Sequence, residues 1–215
     1  MIAEPEAQPI HSYYPPNVRL SDWVADQFRP GFKGYCVDVG ASDGISTNSS
    51  YALEHIYRWT VLSVEANPYY ADKLQETRGL YRMCAVAGEA QESALFHVHL
   101  DNLEAFSSLH PVEHPKYRDQ MGERWATTKV SVTTLEKLLA EHSFPRLDAL
   151  CLDTEGTERD ILSGLDLGKW RPRVILLESW DQGALDDLLC PLGYERCFRS
   201  QENDGYLLRP NGVLG

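Results

Sequence analysis

A chain of 215 residues, 43% of them hydrophobic, is the size of one domain with a substantial core, which excludes a disordered protein. A formal net charge of −12 excludes phosphate-backbone binding as a main role, so no nucleic-acid partner is expected. No apolar run is long enough to cross a bilayer, and the acidic N-terminus lacks the apolar core of a secretory signal; a cytoplasmic location without membrane contact is expected.

Residues 1–32 read as an N-terminal arm and helix: a Pro-rich polar stretch over 1–17, then a helical pattern over 18–29 with Leu20, Trp23, Val24 and Phe28 on one face. The apolar run Tyr35–Val39 predicts a buried strand, and Asp38, Gly40 and Gly44 mark a tight turn after it. Ser46 or Thr47 is placed to cap the next helix, which carries Tyr51, Leu53, Ile56 and Tyr57. A second strand over 60–64 stops on Glu65, 21 residues after Gly44. That is close to the offset of about 20 expected of a carboxylate that accepts from ribose hydroxyls. The spacing fits both a dinucleotide and S-adenosylmethionine. Charge separates them, because Asp38 and Asp43 would repel a pyrophosphate and suit a ligand carrying an ammonium and a sulfonium.

Asn67-Pro68 is a helix entry, with the helix running to about Arg78. Strands follow at Tyr81–Val86 and Ser93–Leu100. The irregular residues 101–126 interrupt two strands and read as a substrate-facing lid. Thr128–Thr133 is a further strand, and Thr134 caps a helix from Leu135 to about Glu141. A buried strand then ends on Asp153, the helix after Gly156 carries Ile161, Leu162 and Leu165, and the strand Val174–Leu177 ends on Glu178. A helix over 183–190 and an antiparallel pair, Tyr194–Phe198 with Gly205–Leu208, complete the pattern. Strands alternating with helices predict a mostly parallel, doubly wound sheet with its ligand beyond the carboxyl ends of the strands. Asp38, Glu65, Asp153 and Glu178 stand at four such ends. Five cysteines, Cys36, Cys84, Cys151, Cys190 and Cys197, contain no Cys-x-x-Cys pair and read as free buried thiols.

Together these segments resemble the FkbM family of S-adenosylmethionine-dependent methyltransferases, over about residues 33–209. The pieces are Val37–Gly44, Ser63–Pro68, Ala85–Gly88, Ser107-Ser108-Leu109 and Thr133-Thr134-Leu135. Then come Leu152–Glu158, Leu162-Ser163-Gly164, Arg171-Pro172 and Ile175–Glu178. The family often has Asn where Ser42 stands and Pro where Ala66 stands, departures that leave the cofactor intact and the substrate open. The resemblance implies a Rossmann-like class I methyltransferase: an α/β fold whose seven-stranded, mostly parallel sheet has helices on both faces and an antiparallel last strand. Residues 33–215 would form the methyltransferase domain, and the implied reaction is O-methylation of a small molecule, sugar or secondary metabolite.

On that reading Asp38 and Gly40 line the amino acid end of the methyl donor, Gly44 supports the turn, and Ala41 and Asn48 join them. Glu65 takes the ribose hydroxyls, with Ala66, Ala85 and Val86 beside the adenosine. Asn67 either contacts the adenosine or only caps its helix. Ser107 bonds donor or acceptor. Asp153 touches the donor and is the leading general base, Glu155 is a second base or substrate ligand, and Glu178 faces the acceptor. Asp153, Glu155 and Glu178 are also a hard oxygen set, and His97, His99, His110 and His114 a nitrogen set, but no metal is assigned. The partner expected is a small-molecule acceptor; Tyr13, Tyr14, Phe106, Trp125 and Trp180 are candidate platforms for a sugar ring. An NAD-dependent oxidoreductase and a noncatalytic module binding S-adenosylmethionine or S-adenosylhomocysteine are the alternatives.

Overall fold

The computed structural model describes residues 18–46, 48–101, 106–110, 124–200 and 202–209. The arm over 1–17 with Tyr13 and Tyr14, the cap candidate Thr47, His114 and most of the 101–126 lid lie outside the described residues.

In chain order the elements are α1 (Val18–Asp26), β1 (Tyr35–Val39), α2 (Tyr51–His55), β2 (Thr60–Glu65), α3 (Ala71–Thr77), β3 (Tyr81–Met83), β4 (Ala85–Val86) and β5 (Gln91–His99). They continue with β6 (Trp125–Thr133), α4 (Leu135–Glu141), β7 (Ala149–Leu152), α5 (Glu158–Ser163), β8 (Val174–Glu178), α6 (Asp186–Leu189), β9 (Tyr194–Ser200) and β10 (Asn203–Leu208). Among the described residues the main sheet has seven strands in the order β3-β2-β1-β7-β8-β10-β9, with β10 antiparallel to both neighbours. This is the doubly wound arrangement expected of the class I methyltransferase fold.

The core follows from alternation along apolar strands covered on both faces. Val37, Val39, Leu62, Val64, Leu150, Leu152, Ile175 and Leu177 face one side, where Leu135, Leu138 and Leu139 of α4 and Ile161 and Leu162 of α5 cover them. Cys36, Val61, Ala149, Cys151, Val174 and Leu176 face the other, against Leu20 and Val24 of α1 and Leu53 of α2. Thr134 caps α4 as expected, its hydroxyl accepting from Lys137 N at 3.3 Å.

Four expectations change. The run Tyr81–Val86 is two strands: β3 pairs with β2, Cys84 breaks the ladder, and β4 pairs with β6 in a separate three-stranded sheet ordered β4-β6-β5. The helix α2 starts at Tyr51 with Ser50 rather than Ser46 at its N-cap, because the Ser46 hydroxyl is engaged by Asp43 at 2.8 Å. Trp125 and Ala126 extend β6 instead of closing the lid, and Ser108 exchanges backbone hydrogen bonds with His97 of β5. Finally, Cys36, Cys84 and Cys151 are buried but Cys190 and Cys197 are exposed, since Cys190 opens the short turn after α6 and Cys197 lies on the edge strand β9.

Candidate active site

The carboxyl ends of β1, β2 and β7 and the inner face of the small sheet line a cleft whose empty space, its open mouth included, is about 700 Å³. The turn after β1 forms its floor. Gly40 and Ala41 donate to Val64 O at 2.9 and 3.1 Å, which draws the turn onto β2. Gly40 has a left-handed φ of +86°, and a Cβ there would stand 1.7 Å from the Asp153 carbonyl oxygen. Only glycine lets β1 and β7 approach this closely. Gly44, also left-handed at +76°, does not line the cleft; it packs against Thr77 and Arg78 at the end of α3.

The N–H groups of Ser42, Gly44, Ile45 and Ser46 are already engaged. Ser42 N donates to Glu65 Oε2 at 2.7 Å and Gly44 N to Ala41 O at 2.8 Å. Ile45 N and Ser46 N donate to Asp43 Oδ1 at 2.8 and 2.7 Å. Glu65 takes a second backbone bond from Asn67 N at 2.6 Å and is 6% exposed. Burial lifts its carboxyl above the usual range, while the bonds from Asn67 and Ser42 pull it back.

Asp38 does not line the cleft. It shares the β1 face of Cys36, so it points toward α2, where it accepts from Asn48 Nδ2 at 2.8 Å and Ser50 Oγ at 2.7 Å. Asn48 does line the cleft, and its amide also donates to Ala41 O at 3.1 Å. Arg78, fully buried at its side chain, closes the network: it pairs with Glu54 at 3.0 Å and donates to Gly44 O at 3.1 Å and Ser50 Oγ at 2.5 Å. Ala66, Ala85 and Val86 stand on the wall between the two sheets, together with Phe96. Asn67 lines the cleft and also caps the turn that leads into α3. Ser107 lines the cleft as well and accepts from His99 N at 3.1 Å.

At the β7 end, oxygens of Asp153, Glu155 and Glu178 lie within 4.8 Å of one another. Asp153 and Glu155 line the cleft; Glu178 stands behind them, outside its lining. Burial pushes Asp153 up to about 7, opposed by a hydrogen bond with Glu178 and reinforced by neighbouring carboxylates. Burial and the charge of Asp153 push Glu155 up to about 8, and burial with both neighbours raises Glu178 well above the carboxylate range. Three such acids share protons. Their spacing also suits a hard cation, whose oxygen ligands stand at about 2.0–2.6 Å; among the described residues no histidine joins a potential metal-binding cluster. Glu155 is left-handed at φ +57°, and the Phe106 N–H donates to its Oε1 at 3.1 Å. The Trp180 ring would be 3.4 Å from a Cβ on Gly156, so this aromatic borders the acid cluster, whereas Trp125 packs on His99 at 4.8 Å.

Sequence reasoning missed Arg78 and Phe96 as parts or supports of this site. A last-turn arginine and a strand phenylalanine carry no local mark of a site.

A family model of the methyltransferase FkbM domain matches residues 38–196. Similar solved structures include an FkbM methyltransferase from Methylobacillus flagellatus KT, at 15% identity and TM-score 0.50, covering 84% of this chain and 46% of that one. The METTL16 MTase domain is 16% identical (TM-score 0.47; 86% and 64% covered). The human methyltransferase 10 domain containing protein is 15% identical (TM-score 0.47; 89% and 80%). The chain thus spans about half the length of the bacterial structure. No curated protein is significantly similar to it.

Proposed function

Since this chain belongs to the FkbM family of methyltransferases, we propose that it transfers a methyl group from S-adenosylmethionine to a hydroxyl of a small molecule. The observation that carries the reading is Asp153: a carboxyl that lines the cleft, touches the glycine turn through its own backbone, and is held at about 7. A hydroxyl must lose its proton as it attacks carbon, and a base whose pKa lies near neutrality accepts it best.

The cleft suits a nucleoside with a cationic amino acid tail. Glu65, Ala66, Ala85 and Val86 would hold the adenosine, and Gly40, Ala41, Asn48 and Ser107 the tail, with Asp38 fixing Asn48 from behind. S-adenosylmethionine would supply an electrophilic methyl on its sulfonium. Support for a dinucleotide is weak. The N–H groups of Ser42, Gly44, Ile45 and Ser46 bond to Glu65, Ala41 and Asp43, and among the described residues no helix starts between β1 and Tyr51 to receive a pyrophosphate.

Ionised Asp153 takes the acceptor's proton and becomes neutral as loss of the methyl turns the sulfonium into a neutral thioether, and Glu178, hydrogen-bonded to Asp153, with Glu155 relays that proton outward. Phe106, held over Glu155, excludes water from that end.

The test is Asp153→Asn, read by S-adenosylhomocysteine release on a panel of sugar and aglycone alcohols and by calorimetric binding, with NAD as control. We expect turnover to fall at least about 100-fold, S-adenosylhomocysteine affinity to stay within about twofold, and NAD not to bind. Undiminished turnover would remove Asp153 as the base.

A further inference from the structure

Asn67 sits two residues past Glu65, is 1% exposed and lines the cleft. Its side-chain oxygen caps the short 3-10 turn Pro68–Tyr70, where Oδ1 accepts from Tyr69 N at 3.1 Å. That bond fixes which way the amide faces, because a flipped amide would set two donors against each other. The other end, Nδ2, is buried and has no hydrogen-bond partner among the described residues.

An unpaired buried donor carries the full penalty of its desolvation. Capping does not require one, since aspartate or serine caps a turn as well as asparagine and leaves no donor stranded. The stranded donor belongs to a residue of the cleft wall whose own backbone N–H holds Glu65 at 2.6 Å. Glu65 can only accept, so it reads ribose O–H groups. The amide nitrogen beside it can only donate, so it reads a lone pair.

We infer that Asn67 Nδ2 donates a hydrogen bond to a lone-pair acceptor on the nucleoside of the methyl donor, the purine N3 beside the ribose or the ribose ring oxygen, and so helps select that nucleoside. The inference rests on the donor site proposed above. Asn67 thereby couples the entry to α3 to ligand recognition: one side-chain oxygen shapes the chain, and the nitrogen of the same amide meets the ligand.

The experiment is calorimetry of the full chain with S-adenosylhomocysteine and its 3-deaza-adenosyl analogue, for wild type, Asn67→Ser and Asn67→Asp, alongside ligand-free melting temperatures. Both variants keep a capping acceptor and remove the amide donor; serine is neutral, so the charge of Glu65 is not opposed. We expect Asn67→Ser to raise the dissociation constant about tenfold, with the ligand-free melting temperature within about 2 °C of wild type. If the acceptor is the ring nitrogen, the 3-deaza analogue binds wild type more weakly and loses nothing further in the variant; if it is the ribose oxygen, both ligands lose equally. Wild-type affinity in Asn67→Ser overturns the inference. So does a loss that appears only with a matching fall in ligand-free stability in both variants, which would make Asn67 a cap alone. A wild type that binds neither ligand overturns the donor reading itself, an outcome distinct from a change confined to the variants.

Discussion

Asp153 and Glu155 titrate at about 7 and about 8 because burial penalises their charged forms beside other carboxylates. The sign of the consequence for stability is set by those raised values. Between the ordinary carboxylate range near 4 and these values the folded chain binds protons that the unfolded chain releases. The stability they contribute is full below about pH 4 and is lost as pH rises through 7 to 8. Scanning calorimetry should therefore show the melting temperature falling by about 5 °C between pH 6 and pH 9, and a flatter profile for Asp153→Asn; an equally steep profile in the variant would place the titration elsewhere. Turnover should run the other way, rising through pH 7 as the base ionises. Glu65 and Asp153 were legible in the sequence because a carboxylate that ends an apolar strand is a visible step in hydropathy. Asp38 bears the same mark, yet its strand face turns it to Asn48 and Ser50, away from the cleft. Arg78 was not legible, because it becomes a buried support only when Ser50, 28 residues away, folds onto it.

Among the elements, the turn between β7 and α5 shows how a motif divides its labour. Its three acids look alike in sequence. Glu158 is 7% exposed and accepts from Thr154 N and Thr154 Oγ1, both at 2.9 Å, and from Gly156 N at 3.3 Å, so it staples the turn rather than serving the cleft. The staple holds Glu155 in its left-handed conformation, which a non-glycine residue adopts only when its surroundings impose it. Glu158→Ala should cost about 2 kcal/mol in denaturant unfolding and lower kcat more than tenfold through Glu155 and Asp153. Glu158→Gln keeps the accepting oxygen and should stay near wild type in stability; an alanine variant with normal turnover would separate the turn from the chemistry. Helix and strand positions were legible from period and caps, as at Thr134. The split of Tyr81–Val86 between two sheets was not, because no glycine or proline separates β3 from β4 and only distant partners, β2 and β6, tell them apart.

At the scale of the molecule, the cleft exists because two sheets meet over it. The main sheet supplies the ends of β1, β2 and β7; the small sheet supplies Phe96 and, through Ala85, Ala87 and Val132, a cluster that packs on Ala66 and Leu109. Neither sheet alone encloses a ligand, so occupancy must couple them. A ligand at 100 times its dissociation constant adds about 2.7 kcal/mol to stability, which for a chain of this length raises the melting temperature by roughly 5–10 °C. Amide exchange should then slow together in three separated segments on adding S-adenosylhomocysteine: the turn after β1, the Glu65–Tyr70 stretch, and β4 with β5 and β6. The β10-β9 edge, beyond β8 from the cleft, should exchange as before. Protection confined to the first two segments would reduce the small sheet to a neighbour of the donor site. Protection in all three makes its closure over the main sheet the step that removes water from Asp153, the condition under which a carboxyl held near neutrality is a competent base.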